Sequence, residues 1–98
     1  MTVRHADKKL QRLETQTGYS ASYGSDVVKS YRRRMQFIRS AANEQDFYAM
    51  KSLHYEKRKG SRSSQRSMRL NDQFRLILQL EQDPGGRVVV IVSIEDYH

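Results

Sequence analysis

Residues 74–95 read FRLILQLEQDPGGRVVVIVSIE. Apolar side chains alternate over residues 74–80, which is the period of a strand with one buried face. The DPGG at 83–86 predicts a tight turn, because Pro presets one central angle and Gly supplies positive φ. The run over residues 88–94 is apolar on both faces, so the second strand, expected over about 87–95, is predicted to be a central, buried one.

A further strand precedes this hairpin. Residues 65–70 alternate, with Met68 and Leu70 on one face and Ser67 on the other. Asn71-Asp72 then predicts another tight turn, since both residue types tolerate positive φ. The second half of the chain is therefore expected to form a meander of strands.

Helices are predicted in the first half. Apolar residues recur at helical spacing over about 26–42, with Ser25 as the expected cap. Asp7 is expected to cap a shorter helix, and Asn43 either ends the long helix or caps a short turn through 47–50. Residues 2–6 give only a weak strand signal. The predicted fold class is α+β, one domain over 1–98, with N-terminal helices packed on one face of an antiparallel sheet.

The charge of the chain limits the classes of partner. Ninety-eight residues carry 18 Lys and Arg against 11 Asp and Glu, a net charge of +7. A domain this basic usually meets a polyanion, most often nucleic acid, and the alternative is a surface that aids solubility or binds an acidic protein. With no cysteine there is no disulfide or thiolate site. No stretch predicts a membrane span or a signal peptide, so a cytoplasmic location is expected.

The most basic segment runs over residues 51–75, with eight Lys or Arg against two acidic residues in 25 positions. Such cations suit phosphate oxygens, although most charge runs are solvated loops. Arg75 differs, because it falls inside a strand on the face opposite Phe74 and Leu76. If the helices cover the Phe74 face, Arg75 lies on the open face of the sheet, which Lys59 and the chain end could share.

Arg, Lys, Tyr and His around one concave surface are suited to phosphodiester cleavage. A base activates the RNA 2′-hydroxyl, cations stabilise the charge on phosphate, and an acid protonates the leaving 5′-oxygen. This chemistry requires no metal or cofactor, and the three histidines, His5, His54 and His98, lack metal-ligand spacing. Binding modules that do not cleave RNA carry the same residue types, so composition leaves both interpretations open.

Three motifs narrow the choice: KGSR at 59–62, SMRLNDQFR at 67–75 and EDYH at 95–98. In this order they resemble the HigB-type toxins of the RelE superfamily, the killer proteins of bacterial type II toxin–antitoxin modules. The family pattern is roughly K-G-x-R, then S-[IM]-R-[VL]-N-[DG]-[QN]-W-R, ending in D-Y-H. The first half shares the helical plan and basic character of the family but no distinctive motif.

The resemblance implies a RelE-like, microbial ribonuclease-type fold with helices on a curved antiparallel sheet. It implies an endoribonuclease that enters the ribosomal A site and cuts mRNA during translation. The catalytic residues it implies are Lys59 and Arg75, which would hold the scissile phosphate, and Tyr97 and His98, which would orient the nucleotide and take part in proton transfer. Which residue is the base stays open.

Other residues of the motifs are expected to assist. The residues expected to bind RNA are Lys57, Arg58, Arg62 and Arg69. Asp96 and Glu56 are expected to support the site; Glu56 stands where some members have a His, and Phe74 stands where Trp is usual.

The resemblance also implies partners. They are a HigA-like helix-turn-helix antitoxin, the ribosome with its mRNA, and operator DNA reached only through the antitoxin; no membrane is involved. The main alternative is a non-catalytic RNA- or ribosome-binding module of the same fold. A third class, a protein-interaction domain, would bind RNA weakly and with little salt dependence.

Other conspicuous side chains have ordinary interpretations. His5 is expected at a surface or strand edge, and residues 32–34, three arginines, on the wet side of the long helix, with contact to RNA or antitoxin as the alternative. Tyr19 and Tyr23 are expected to pack against the helices rather than stack on a base.

Overall fold

Three helices cover one face of a five-stranded sheet in the computed structural model, which describes residues 1–96. The helices are α1 (Lys8–Thr15), α2 (Ser25–Ser40) and α3 (Glu44–Ala49). The strands are β1 (Thr2–His5), β2 (Glu56–Lys57), β3 (Gln65–Arg69), β4 (Phe74–Asp83) and β5 (Gly86–Asp96). Short 3₁₀ turns span Lys51–Leu53 and Gly60–Arg62. None of the helices in this part of the chain has the length and apolarity needed to cross a membrane.

The sheet has the order β1-β5-β4-β3-β2. Strands β2 to β5 pair antiparallel, whereas β1 adds to β5 in parallel, with Thr2 opposite Val88. The α+β class is thus confirmed, but the sheet is mixed rather than wholly antiparallel. Because β1 and β4 flank β5, the strand with two apolar faces is paired on both sides, as its pattern predicted.

The helix ends follow the sequence with two differences. Asp7 accepts a hydrogen bond from the Lys9 N–H at 2.7 Å, so the expected cap of α1 is confirmed. Ser25, the expected cap of α2, is instead its first helical residue, after Gly24. The helix also ends at Ser40, two residues before the expected end, because the backbone of Ala41 is extended.

The core lies between the helices and one face of the sheet. Its apolar side chains on β4 are Leu76 and Leu78, as the alternation predicted. They pack with residues of β3, β5 and the helices, including Met68, Ile91, Leu13, Tyr31, Met35, Ile38 and Phe47. The helices therefore leave the opposite face of the sheet, which carries Arg75, as the open face.

Both predicted turns are present; the β4–β5 turn has the expected glycine with positive φ, but the β3–β4 turn differs from the expected geometry. At the β3–β4 turn, neither Asn71 nor Asp72 has positive φ. The Asn71 side-chain oxygen instead accepts from the N–H groups of Gln73 at 2.9 Å and Phe74 at 2.7 Å. In the β4–β5 turn, Gly86 has the positive φ of 121°. The hydrogen bonds accepted by the Asn71 side chain are therefore the physical reason for the β3–β4 turn.

A β-bulge in β5 decides what faces Arg75. Leu78 pairs with Ile91, but the preceding residue Ile77 pairs with Ser93, so Val92 is an extra residue. Without this bulge, Arg75 would oppose the apolar residue at 94. With it, Arg75 opposes Glu95, and a carboxylate reaches the open face.

Candidate functional site

Arg75 lies on the open face with Arg69 and Glu95 as its neighbours across the two adjacent strands. The residue is only 8% exposed, and its Nη2 donates a hydrogen bond to the carbonyl oxygen of His54 at 2.7 Å. His54 has the left-handed backbone conformation, with φ of 47°, which is uncommon for a residue other than Gly. The backbone thus fixes one side of a guanidinium that an ordinary surface arginine would leave mobile.

Arg75 borders two small cavities. One has a volume of about 140 Å³ and is lined by Arg58, Arg75, Glu95 and Asp96. The other has a volume of about 200 Å³ and is lined by His54, Arg69, Asn71, Asp72 and Arg75. Pockets for whole small-molecule ligands usually measure about 300–1,000 Å³. Each cavity is therefore of a size for a phosphate group rather than for a whole nucleotide.

Two arginines converge on the carboxylate of Glu95. Arg62 holds it with both terminal nitrogens, Nη1 to Oε1 at 3.1 Å and Nη2 to Oε2, while Arg58 Nη2 lies 3.5 Å from Oε1. The hydrogen bond from Arg62 lowers the pKa of Glu95, and partial burial opposes this only in part. The carboxylate is therefore ionised at neutral pH. It is the anion that Arg58 and Arg62 bind on the open face. We call Arg58, Arg62 and Glu95 the arginine strap.

The arginine strap crosses the open face. Its arginines follow the edge strand β2, whereas Glu95 is on β5, so the contact bridges β3 and β4, about 14 Å at the usual strand spacing. Ser67 and Ile77 lie in these strands on the open face and are nevertheless only 1% and 0% exposed. The Ser67 hydroxyl, moreover, has no hydrogen-bond partner among the described residues. The register thus places Ser67 and Ile77 between the two ends of the strap, on the floor of the candidate site.

The motif around Lys59 forms the beginning of this strap. Lys59 is exposed and lies between Arg58 and the 3₁₀ turn. Gly60 has φ of 67°, a conformation that side-chain-bearing residues rarely adopt, which explains the glycine of the KGSR motif. The structure thus brings the neighbours of Lys59 to Arg75 through Glu95. The expected residues Tyr97 and His98 lie outside the described residues.

The remaining expected site residues differ in their surroundings. Lys57 and Glu56 are both exposed on β2, and Glu56 lies opposite Ser67 on the open-face side of the sheet. Arg69 forms an ion pair with Asp72 within the β3–β4 turn. Asp96 accepts a hydrogen bond from the Gln73 side chain at 3.0 Å.

The sequence did not predict two features of the site. These are the binding of Glu95 by the arginines of the strap and the hydrogen bond accepted by the His54 carbonyl. The position of Glu95 in the EDYH motif was a signal, but its contact depends on the bulge. The conformation of His54 has no signature in the residues around it.

The arginines of α2 are not simply on its wet side. Arg32 donates to the carbonyl oxygens of Leu13 and Gln16, each at 3.0 Å, and Arg34 donates to that of Arg69 at 3.0 Å. These two side chains therefore connect α2 to α1 and to the sheet. Their residue types did not predict this, because backbone carbonyls carry no sequence signal.

The expected packing against the helices is confirmed for Tyr19, which lies against α1, whereas the ring of Tyr23 contacts Phe74 of β4. Tyr23 contacts the ring of Phe74 edge-on, with centroids 5.6 Å apart, and the Arg12 guanidinium lies 4.1 Å from the centre of the Tyr19 ring. His5 is on the edge strand β1, as expected. Within residues 1–96, no group of three or more His, Asp or Glu side chains is arranged to hold a metal ion.

The fold is that of a RelE/YoeB-type toxin. A solved YoeB/ParE toxin from Agrobacterium tumefaciens is similar over 100% of both chains, with a TM-score of 0.64 and 11% sequence identity. At this identity the likeness shows the fold alone. No curated protein matches the chain.

The sequence defines the family more closely. The profile of HigB-like toxins, described as the RelE-like toxin of the type II toxin–antitoxin system HigB, matches residues 3–98. The chain therefore belongs to the HigB-like toxin family, and the resemblance seen in its motifs is confirmed. Membership of this family implies an antitoxin as partner.

Proposed function

We propose that this toxin is an endoribonuclease that cleaves mRNA in the ribosomal A site by attack of the RNA 2′-hydroxyl on the adjacent phosphate. A base takes the proton of the 2′-hydroxyl, the new bond joins the 2′-oxygen to phosphorus, the bond from phosphorus to the 5′-oxygen breaks, and an acid gives a proton to that leaving oxygen. Neither a metal nor a cofactor takes part.

The observation that carries the proposal is the setting of Arg75. A buried guanidinium lies within a strand, held by the His54 carbonyl and bordered by two phosphate-sized cavities. A fold gains little from an arginine there, because burying a charge is costly. A fixed cation that needs no reorganisation is what stabilises the charge developing on a phosphate.

The other residues have supporting roles in this proposal. Lys59 and Arg75 hold the scissile phosphate, while Tyr97 and His98 orient the nucleotide and move protons, with the base unassigned. Asp96 and Glu56 support these groups. The residues that bind neighbouring phosphates are Lys57, Arg58, Arg62 and Arg69.

The test is cleavage of a defined mRNA on purified ribosomes by the full chain and by a variant that ends at Asp96. We expect the full chain to cut within the A-site codon and the shortened chain to leave the mRNA intact. Attack by the 2′-hydroxyl leaves a 5′-hydroxyl end, which polynucleotide kinase labels directly, whereas hydrolysis that leaves a 5′-phosphate prevents such labelling.

Induction of the same two chains in cells separates the proposal from its alternatives. Growth arrest by both without cut mRNA would indicate a non-catalytic ribosome-binding module of the same fold. Weak RNA affinity with little dependence on salt would indicate a protein-interaction domain, since phosphate contacts release counterions.

We further propose that the antitoxin has a HigA-like helix-turn-helix domain and that the toxin reaches operator DNA only through it. Both the toxin and its ribosomal target would then act in the cytoplasm. Purified together with the product of the adjacent reading frame, the toxin should be inactive and bind the operator. Operator binding by the toxin alone would contradict this proposal.

A further inference from the structure

Glu95 occupies a position suited to a substrate phosphate. Its two oxygens accept hydrogen bonds from the fork of Arg62, and Arg58 approaches one of them. A phosphodiester also offers two anionic oxygens to such a fork, so carboxylate and phosphate are interchangeable in this geometry. The two arginines of the strap therefore already bind an anion in the geometry that an RNA phosphate would adopt.

The contact is open enough to be exchanged. The Glu95 side chain is 34% exposed and that of Arg62 is 39% exposed. Ion pairs with this much access to water contribute little to stability, because water and salt screen them. A phosphodiester entering from the solvent can thus replace Glu95 without unfolding the site.

Opening the strap would also uncover a donor. The Ser67 hydroxyl is buried beneath the path of the strap and has no partner among residues 1–96. Buried hydroxyls usually have hydrogen-bond partners, so an orphan of this kind needs an explanation. A phosphate oxygen or water admitted by an open strap would supply the missing partner.

We propose that Glu95 is an internal competitor of RNA, a carboxylate that holds Arg58 and Arg62 until a phosphodiester displaces it. Glu95 is then a positioning residue that acts through the arginines and not a catalytic one. This inference rests on the proposed function, since the competing ligand is an RNA phosphate. It predicts that removing the charge of Glu95 strengthens RNA binding.

The experiment measures binding of a fluorescent single-stranded RNA whose 2′-hydroxyls are methylated, so that the attacking group is blocked. Glu95→Gln is compared with Glu81→Gln, the matched control. Glu81 is paired with Arg4 at 2.6 Å and is exposed, so both variants lose one paired charge from β4 or β5. In 0.15 M salt, we expect Kd to fall about 5-fold for Glu95→Gln, the scale of a partly exposed ion pair. The control should change Kd less than about 2-fold, because exposed charges are screened.

A double-mutant cycle identifies the partner. In an Arg62→Gln background, the gain from Glu95→Gln should shrink to below about 2-fold, since the arginine for which Glu95 competes is absent. Unfolding temperatures of all variants establish that they are folded.

Equal changes in Kd for the two single variants, or a gain that persists without Arg62, would overturn the competitor role. Loss of ribosomal cleavage by Glu95→Gln at unchanged Kd would also overturn it, by making Glu95 part of the chemistry. Failure of the unaltered toxin to cleave ribosome-bound mRNA is a separate result and contradicts the proposed function itself.

Discussion

Glu14 on α1 and Glu95 on β5 are both held by the fork of an arginine, but they lie in different parts of the molecule. Glu14 binds Arg39 at 2.6 and 3.0 Å and His5 at 2.9 Å, and its side chain is 13% exposed. Glu95 binds Arg62, is 34% exposed and lines a cavity. The Glu14–Arg39 pair is therefore a joint, a structural contact that connects α1, α2 and β1. The Glu95–Arg62 pair is an exchangeable contact. The two pairs differ in how far water reaches the glutamate side chain.

The two carboxylates do not differ in charge at neutral pH. Burial alone would raise the pKa of Glu14, but the hydrogen bond and charge of Arg39, aided by His5, outweigh it and lower that pKa overall. The hydrogen bond from Arg62 likewise lowers the pKa of Glu95. Variants of the two regions should therefore separate activity from stability.

The largest effect is expected for Arg75→Ala, which should reduce ribosomal mRNA cleavage about 100-fold or more, the loss typical of one transition-state donor. The fold should survive, because Arg75 faces away from the helical core. The measurement is the single-turnover rate of cleavage together with a circular dichroism spectrum. An unchanged rate would remove Arg75 from the mechanism.

Arg39→Ala is the control from the helical layer. It removes a guanidinium of the same kind, and the folded variant should retain its cleavage rate while unfolding at a lower temperature. If this variant lost as much cleavage as Arg75→Ala, the loss would reflect reduced stability and not the removal of a residue from the open face.

A smaller effect is expected for Glu14→Gln, which should reduce the free energy of unfolding by about 2 kcal/mol, the scale of hydrogen bonds to a charged group shielded from water. Glu95→Gln should cost less than about 1 kcal/mol, because its pair is exposed. Urea unfolding at neutral pH measures both. Equal losses would contradict the distinction between a joint and an exchangeable contact.

The sequence predicted the parts of the fold that depend on periodicity. The alternation around Leu76 and Leu78, the apolar run before Glu95 and the turn between them are local patterns, and the structure has all three. The motifs also identified the family. The parallel pairing of β1 was not predictable, since four residues with a weak pattern carry no information about strand direction.

The site could be predicted only in part, for a physical reason. Placing Arg75 on the open face needed only the alternation of β4, so it followed from the sequence. The contact between Glu95 and the arginines depends on one extra residue, Val92, in a run where every side chain is apolar. A run without alternation does not reveal where its register shifts. The same limit applies to His54, whose role comes from its backbone.

A further test of the open face is Gly60→Ala. The φ of 67° at Gly60 is strained for any residue with a side chain, although no atom of residues 1–96 lies within 4 Å of an added Cβ. The strain, of order 1 kcal/mol, should shift the 3₁₀ turn and with it Arg62, and we expect cleavage to fall about 5- to 10-fold. Gly18→Ala, which also has positive φ and free space but lies in the helical layer, is the control and should keep full activity.

The smallest expected effect is the pH dependence of the Glu14 joint. Because the pKa of Glu14 is lowered in the folded state, its contribution is complete above the ordinary value of 4.5 and is lost as pH falls through the lowered pKa. The difference in free energy of unfolding between the unaltered toxin and Glu14→Gln should therefore narrow as pH falls below 4.5. Urea unfolding over this pH series measures the difference. Glu95→Gln should show the same direction with a smaller change, because water screens its pair. A difference that widens below pH 4.5 would mean that Glu14 is stabilised in its protonated form, and the comparison between the two carboxylates would then fail.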